Sequence, residues 1–579
     1  MNYVSVVSPW RLVTLLFFFA ACALALVLRL AFLQVIQHGD FVQRAEASHW
    51  DQLTLQAPRG TIKDRDGNAL AIGITTWEIS LNPSQLKTDK DRDQAVSAVG
   101  EALKMSAASI RQKLDKSDGK RPVLVAEKVT YDAGRALLEK GVWGVSAQER
   151  TERSYPEGNL AGVLLGFLGR DGLGVTGIEM DYDRELAGVP GTLVFERDVV
   201  GAPIPLGYRS VTQPKDGGDL YLTIDRQIQR VVERELQDAV TRQKAEGGSA
   251  IIMDPKTGAI LAMASRPTFD LLAPNLSDPK STELFRNRAI TDLYEPGSTF
   301  KVMTMSSAIN EGLVTPETTY VDGGPVIKYG AAINTWDGMH FGRESMTDLL
   351  VHSNNVGAVW VSDQLGKDRF YQYLDKFGLG QLTNVGLSGE AQGQVSKPGA
   401  ENWWPINLST NAFGQGLNAT PLQMITAVTA VVNGGTLMRP YIIDRIETAG
   451  VTRTFQPVEV RRVISENTSK QLRDMMKTVS VQATPLSQVP GYNVGVKTGT
   501  ATIPSAGGYE PDATIASIVG FLPYEQPRAV ILVKIDRPKN SPWGSQVAAP
   551  VFSNIARELL IYWRIPPTEP GKIARVESR

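Results

Sequence analysis

The sequence predicts an α+β fold behind an N-terminal membrane-spanning helix, on three observations. Strand patterns stand at both ends of residues 219–564 with helical patterns between them, so one sheet is expected to assemble from distant segments. An uncharged apolar run, Leu12 to Leu28, stands near the N-terminus. Between the two lies an irregular, mostly-β stretch with some helical pieces. At 579 residues the chain is too long for one core. The expected division is a short tail at 1–11, an anchor at 12–36, a spacer or docking domain at 37–218, the α+β domain at 219–564 and a tail at 565–579.

The anchor comes first. With Arg29 reaching back to the interface, the apolar run extends through Leu30, Ala31, Phe32 and Leu33 to Ile36, enough to cross a bilayer. The competing reading is a cleaved signal, at Ala23-Leu24-Ala25 or Phe19-Ala20-Ala21-Cys22. Both sites lie in the middle of the run rather than at its polar end, which favours an uncleaved anchor. Charge orients it only weakly, with Arg11 before the run and Arg29 and Arg44 after it.

In the next stretch, Ala57 to Ala71 reads as a hairpin turning at Asp66-Gly67. Its Arg59, Asp64 and Arg65 suit a buried ion-pair clasp or a solvated face. Helices are expected over 98–118 and 131–141, and turns at Gly177-Ile178-Glu179 and Pro190-Gly191-Thr192. A boundary is expected at Lys215–Asp219. Beyond it come a strand at Leu220–Ile224, a helix from Asp225, and a hairpin of Ser249–Met253 with Ala259–Ala264. Helices dominate from about 298 to 433. Strands return at Asn493–Ala501, Ile515–Phe521 and Ala529–Ile535, before a final helix near 550–562.

Composition excludes several chemistries. A net charge of −1 gives no electrostatic reason to bind nucleic acid. One cysteine, Cys22, forbids an intramolecular disulfide. The four histidines (His38, His49, His340, His352) lack metal-ligand spacing, so no metal or cofactor is expected.

The chemistry is expected around Tyr294-Glu295-Pro296-Gly297-Ser298-Thr299-Phe300-Lys301. Pro296-Gly297 breaks the preceding structure, and an apolar helical pattern opens at Ser298. Lys301, three residues on, shares its face. A lysine held neutral by burial and a second cation can take the serine proton. S-x-x-K arises by chance roughly once or twice in such a chain. Ser84/Lys87, Ser117/Lys120 and Ser277/Lys280 also match, but in polar loop-like stretches. An ordinary N-capping serine remains the alternative at Ser298.

Two more motifs join it. Ser353-Asn354-Asn355 follows a helical stretch; Ser353 can relay a proton, and Asn355 can hold Lys301 and a substrate carbonyl. S-x-N alone is usually a cap. Lys497-Thr498-Gly499-Thr500 continues an alternating strand, with Lys497, Gly495 and Gly499 on one face. The glycines would leave that face bare for an extended peptide. The N–H groups of Ser298 and Thr500 are candidates for an oxyanion hole. Lys256-Thr257-Gly258 repeats the letters in a hairpin turn and is assigned no chemistry.

In order and spacing, Ser298/Lys301, Ser353/Asn355 and Lys497-Thr498-Gly499 resemble the motif set of penicillin-binding proteins and serine β-lactamases. Arg59-Gly60-Thr61-Ile62-Lys63-Asp64-Arg65-Asp66-Gly67 resembles an element of the class B pedestal domain. Phe413–Gly416, Thr420–Gln423 and Val519–Pro523 are similar to further class B stretches. The run from Arg286 to Ser298 looks more like the septal, cell-division branch than the elongation branch.

The resemblance implies a membrane-anchored peptidoglycan D,D-transpeptidase without a cofactor, its bulk outside the inner membrane and its N-terminus cytoplasmic. It implies that Ser298 is acylated by stem peptides and by β-lactams. Lys301 would act as base and Ser353 as relay, while Lys497, Thr498, Gly499 and Thr500 hold the donor carboxylate. A D,D-carboxypeptidase uses the same motifs. A non-catalytic membrane β-lactam sensor would be expected to carry an output domain, and only about ten residues precede the run. For a β-lactamase, no group to activate a deacylating water is visible. Residues 37–218 show no paired carboxylates of the glycosyl-transfer kind. The implied partners are therefore a multi-spanning membrane glycosyltransferase, meeting the anchor near Ala21 and Ala25, and other divisome proteins.

Overall fold

Residues Pro9–Ile36 form one helix, α-helical over Pro9–Ala31 and π-helical over Phe32–Ile36. No residue of its apolar stretch is buried, so the described residues leave its side chains almost wholly uncovered. That surface suits the hydrocarbon of a bilayer. This computed structural model describes residues 9–42, 50–196, 204, 206–505 and 508–569. His49, most of the expected 1–11 tail and the end of the 565–579 tail lie outside the described residues.

The chain packs as two compact units. One takes in the residues up to Pro58 together with Gly188–Gly217. Besides the anchor it holds a three-stranded antiparallel sheet with Gly191–Glu196 between Trp50–Leu55 and Arg209–Thr212. Pro190-Gly191-Thr192, expected as a turn, thus leads into a strand.

The second unit joins Arg59–Ala187 to everything from Gly218 on. Its first sheet explains the grouping: Ile62–Lys63 pairs in parallel with Asp219–Leu222, on the far side of the boundary expected at Lys215–Asp219. The hairpin expected over Ala57–Ala71 is present, with Ile62–Lys63 antiparallel to Ala69–Leu81 and Gly67 at φ 86° in the turn. Ala69–Leu81 then runs between Val123–Thr130 and Val145–Ser154. Helices Asp89–Leu103, Ala107–Asp115 and Tyr131–Glu139 accompany these strands, so the stretch is mixed rather than mostly β. The single helix expected over 98–118 is two. Lys104 turns left-handed at φ 52°, and the Ser106 hydroxyl caps the second helix by accepting from the Ser109 N–H.

The clasp expected among Arg59, Asp64 and Arg65 is built differently. Arg59 pairs with Glu179 and Asp183, each at 2.8 Å, and Arg153 reaches the other Glu179 oxygen at 2.6 Å. Glu179 lies in the helix Gly177–Asp181 rather than a turn. Asp64 instead accepts from the backbone N–H groups of Asp66 and Asn68, closing its own turn.

The second sheet carries the candidate site. Its antiparallel order is Ile260–Arg266, Gly247–Met253, Ala529–Asp536, Gly508–Leu522 and Gly495–Ser505, so Gly495–Ser505 is an edge strand. Helices Arg226–Arg242 and Ala549–Tyr562 pack on the sheet, as does the wholly buried Pro421–Val432. Asp225 starts the first of them by accepting from the N–H groups of Gln227 and Ile228. Four short strands, among them Thr319–Asp322 and Gly342–Ser345, interrupt the expected helical region.

Candidate active site

Ser298 sits on a tight helical turn, Gly297–Phe300, that runs directly into the helix Lys301–Asn310. Pro296 starts the turn, and Gly297 takes φ 57°. The turn is wedged between two neighbours that need glycine. A Cβ on Gly414 would stand 2.2 Å from the Gly297 carbonyl oxygen, and one on Gly499 would stand 2.9 Å from that of Pro296. The glycine face of the edge strand is therefore filled, at Gly499 by the Gly297–Phe300 turn and Ser517 and at Gly495 by Phe521, and the bare face expected there does not exist. Among the described residues, what the strand leaves open is its unpaired edge.

The predicted residues converge around one amine. Lys301, 1% exposed, places Nζ 3.0 Å from Ser298 Oγ, 2.6 Å from the Ser353 carbonyl oxygen and 2.8 Å from Asn355 Oδ1. The carbonyl and the carboxamide oxygen can only accept. They take two N–H bonds, and a neutral amine then has its lone pair left for the Ser298 hydroxyl proton. Burial, and secondarily the nearby Lys497, push the Lys301 pKa well below its ordinary value.

Lys497, also 1% exposed, donates to Ser353 Oγ at 2.9 Å and to the Thr498 carbonyl at 3.1 Å. Burial lowers its pKa to about 7. Ser353 Oγ thus lies between the two lysines, 3.4 Å from Lys301. Ser353 is left-handed, at φ 55° and ψ 41°, between helices Met346–His352 and Asn355–Lys376. Asn355 Nδ2 donates one proton to the Asn334 carbonyl at 3.0 Å, leaving the other for a ligand.

Thr500 Oγ1 accepts from the Gly544 N–H at 3.1 Å and keeps its own proton to donate. The Thr500 carbonyl runs beside Gly297, so the backbones of Ser298 and Thr500 are neighbours. None of the other three Ser/Lys pairs is joined by a hydrogen bond, and Lys256 is exposed on its hairpin turn.

Sequence reasoning missed several supporting residues. Buried Glu295 accepts from the Gly416 N–H at 2.9 Å and from Tyr509 Oη at 3.2 Å, and its burial raises its pKa. Gln415 Nε2 reaches Thr502 Oγ1 at 3.1 Å, tying the 413–416 turn to the edge strand. A glutamate directly before Pro-Gly-Ser was the available signal for the first; Gln415 stands in the Phe413–Gly416 stretch that the sequence marks, but nothing local marks its link to Thr502.

Residues 248–557 match the family described as penicillin binding protein transpeptidase domain, and residues 54–222 the penicillin-binding protein dimerisation domain. The chain is 34% identical to stage V sporulation protein D of Bacillus subtilis over 558 residues, covering 95% of this chain and 85% of that protein. It is 31% identical to the peptidoglycan D,D-transpeptidase FtsI of Escherichia coli K12 over 556 residues, covering 94% and 90%. Among solved structures, penicillin binding protein 2X of Streptococcus thermophilus aligns at TM-score 0.77 and 27% identity, over 88% of this chain and 80% of that one. Penicillin binding protein 3 of Mycobacterium tuberculosis, complexed with aztreonam, aligns at TM-score 0.68 and 27% identity, over 90% and 99%.

Proposed function

Because the chain belongs to the penicillin-binding protein transpeptidases, of the septal class B kind, we propose that its lysine-centred site crosslinks peptidoglycan stem peptides during division. The protein is a peptidoglycan D,D-transpeptidase held to the membrane by one N-terminal helix. One observation carries the assignment of residues: Lys301 Nζ meets two obligate acceptors and the Ser298 hydroxyl at once.

In the first step Ser298 Oγ attacks the carbonyl carbon of the penultimate D-Ala, and its proton passes to the Lys301 lone pair. The N–H groups of Ser298 and Thr500 receive the charge on the carbonyl oxygen. As the C–N bond breaks, Ser353 Oγ, between the two lysines, gives its proton to the departing D-Ala nitrogen and takes one from the Lys301 ammonium, which becomes neutral again. Lys497 as ammonium, with the hydroxyls of Thr498 and Thr500, holds the donor carboxylate, and the open strand edge pairs with the peptide backbone. An acceptor amine from a second stem then attacks the acyl ester and passes its proton by way of Lys301 to Ser298 Oγ as the C–O bond breaks, which frees Ser298. A β-lactam opens onto Ser298 by the same first step, without an amine leaving the site.

The bulk of the chain lies outside the inner membrane with its N-terminus cytoplasmic, working beside a multi-spanning glycosyltransferase and other divisome proteins. The test supplies the purified full-length protein with lipid-linked precursor and a glycan polymerase. Crosslinked dimer supports the reading. Release of D-Ala without dimer would make the protein a carboxypeptidase, and acylation by penicillin with neither product would make it a sensor.

A further inference from the structure

Behind the pair Ser353/Asn355 lies a second polar cluster that the mechanism does not use. The residue between them, Asn354, is fully buried. Its Nδ2 donates to Asp322 Oδ2 and to Glu344 Oε2, both at 2.8 Å, and its Oδ1 accepts from the Gly357 N–H at 3.2 Å. The two carboxylates are each 2% exposed and meet at one amide nitrogen. Among the described residues neither forms an ion pair with a lysine or arginine. Asp322 is held by the N–H groups of Gly324 and Phe341, and Glu344 by Tyr320 Oη and His352 Nδ1. His352, in turn, stacks on Phe341 with 4.1 Å between ring centroids.

Burying two carboxylates without a strong cation is costly. Here they act together on one side chain. Asn354 is also where the backbone must be pinned. Ser353, a residue with a Cβ, is left-handed, and that conformation aims its carbonyl at Lys301 and its hydroxyl at Lys497. The Asn354 N–H closes the preceding helix on the Leu349 carbonyl, and its side chain caps the following one. Fixing Asn354 therefore fixes Ser353 and Asn355 on either side of it.

We infer that Asn354, clamped by Asp322 and Glu344, is a positioning residue that sets the Ser353 and Asn355 contacts to Lys301 and thereby the rate of acylation. This deepens the proposed reading of the site and rests on it. It bears unequally on two quantities: ligand capture rests mainly on Lys497 and the strand edge, with Asn355 adding one hydrogen bond, whereas the chemical step depends on where the Lys301 lone pair points. Misplacement of about 1 Å is enough to cost on the order of 100-fold in rate.

The test measures the pre-acylation dissociation constant and the acylation rate constant separately, with a fluorescent penicillin on the full-length protein. Asn354→Ala should lower the rate constant about 10- to 100-fold and leave the dissociation constant within about threefold. Glu344→Gln keeps an acceptor oxygen for Asn354 and should recover most of the rate that Glu344→Ala loses. Val361→Ala, a buried change in the same helix, supplies a destabilised protein with an intact clamp and should keep the wild-type rate. The inference is overturned if folded Asn354→Ala acylates within about twofold of wild type. It is equally overturned if Glu344→Gln is no better than Glu344→Ala, or if Val361→Ala slows acylation as much at the same loss of Tm. A wild type that is not acylated at Ser298 would instead remove the site assignment on which the inference rests.

Discussion

Replacing Lys301 by arginine separates the two things a cation can do beside Ser298. Arginine retains positive charge but cannot give up a proton near neutral pH. An unperturbed lysine, with a pKa near 10.4, is neutral in about one molecule in 2,500 at pH 7. Burial and the Lys497 charge move Lys301 well below that, and each unit multiplies the neutral fraction about tenfold. On the proposed reading the 3.0 Å contact with Ser298 Oγ is a base in place rather than a capped ammonium. General-base catalysis is worth about 10²- to 10⁴-fold. Lys301→Arg should therefore lose acylation rate by that range and fall within about tenfold of Lys301→Ala. The assay is the second-order rate of fluorescent penicillin labelling, read beside a thermal melt to establish folding. A folded arginine variant that keeps more than about a tenth of the wild-type rate would refute the base assignment.

Further outcomes follow from the same contacts. Acylation by carboxylate-bearing penicillin should rise as Lys301 loses its proton and fall as Lys497 loses its own near about pH 7, with Lys497→Arg flattening the alkaline limb. Lys497 also predicts a stability slope. Its folded pKa of about 7 lies below the unfolded value, so the unfolded chain binds the extra proton and wild-type stability should rise with pH from about 7 to 10.5. Relative to Lys497→Met the gain is on the order of 5 kcal/mol, and parallel pH profiles in denaturant titrations would contradict it. Glu179→Ala leaves two buried guanidiniums without their shared carboxylate and should destabilise by about 3–5 kcal/mol. A loss under about 1 kcal/mol in chemical unfolding would show the clasp to be unimportant. A chain starting near His38 should be soluble and still bind penicillin, since the anchor contributes no residue to the described site; loss of binding by the folded truncation would argue otherwise.

What could be read in advance was local. Ser298 and Lys301 are three residues apart, so helical geometry alone puts hydroxyl and amine on one face. Lys497 could be placed on a strand because its neighbours alternate. The four-residue turn at Asp66-Gly67 was visible for the same reason. Failures arose where the partner is distant in sequence. Arg59 chose Glu179, 120 residues away, over the nearby Asp64. Gly499 is a glycine because the Pro296 carbonyl crowds it, which no property of its own strand announces. Asn354 is given no role by the Ser353-Asn354-Asn355 pattern, because Asp322 and Glu344 arrive through a separate two-stranded sheet. The break at Lys104 was legible and overlooked: Ser106 is an ordinary helix cap in the middle of the apolar pattern.

The most direct test of the whole account is where penicillin attaches. The protein should label stoichiometrically, with the adduct on the peptide containing Ser298, and Ser298→Ala should abolish labelling while the protein stays folded. Label that persists in Ser298→Ala, or that maps to Ser84, Ser117 or Ser277, would contradict it.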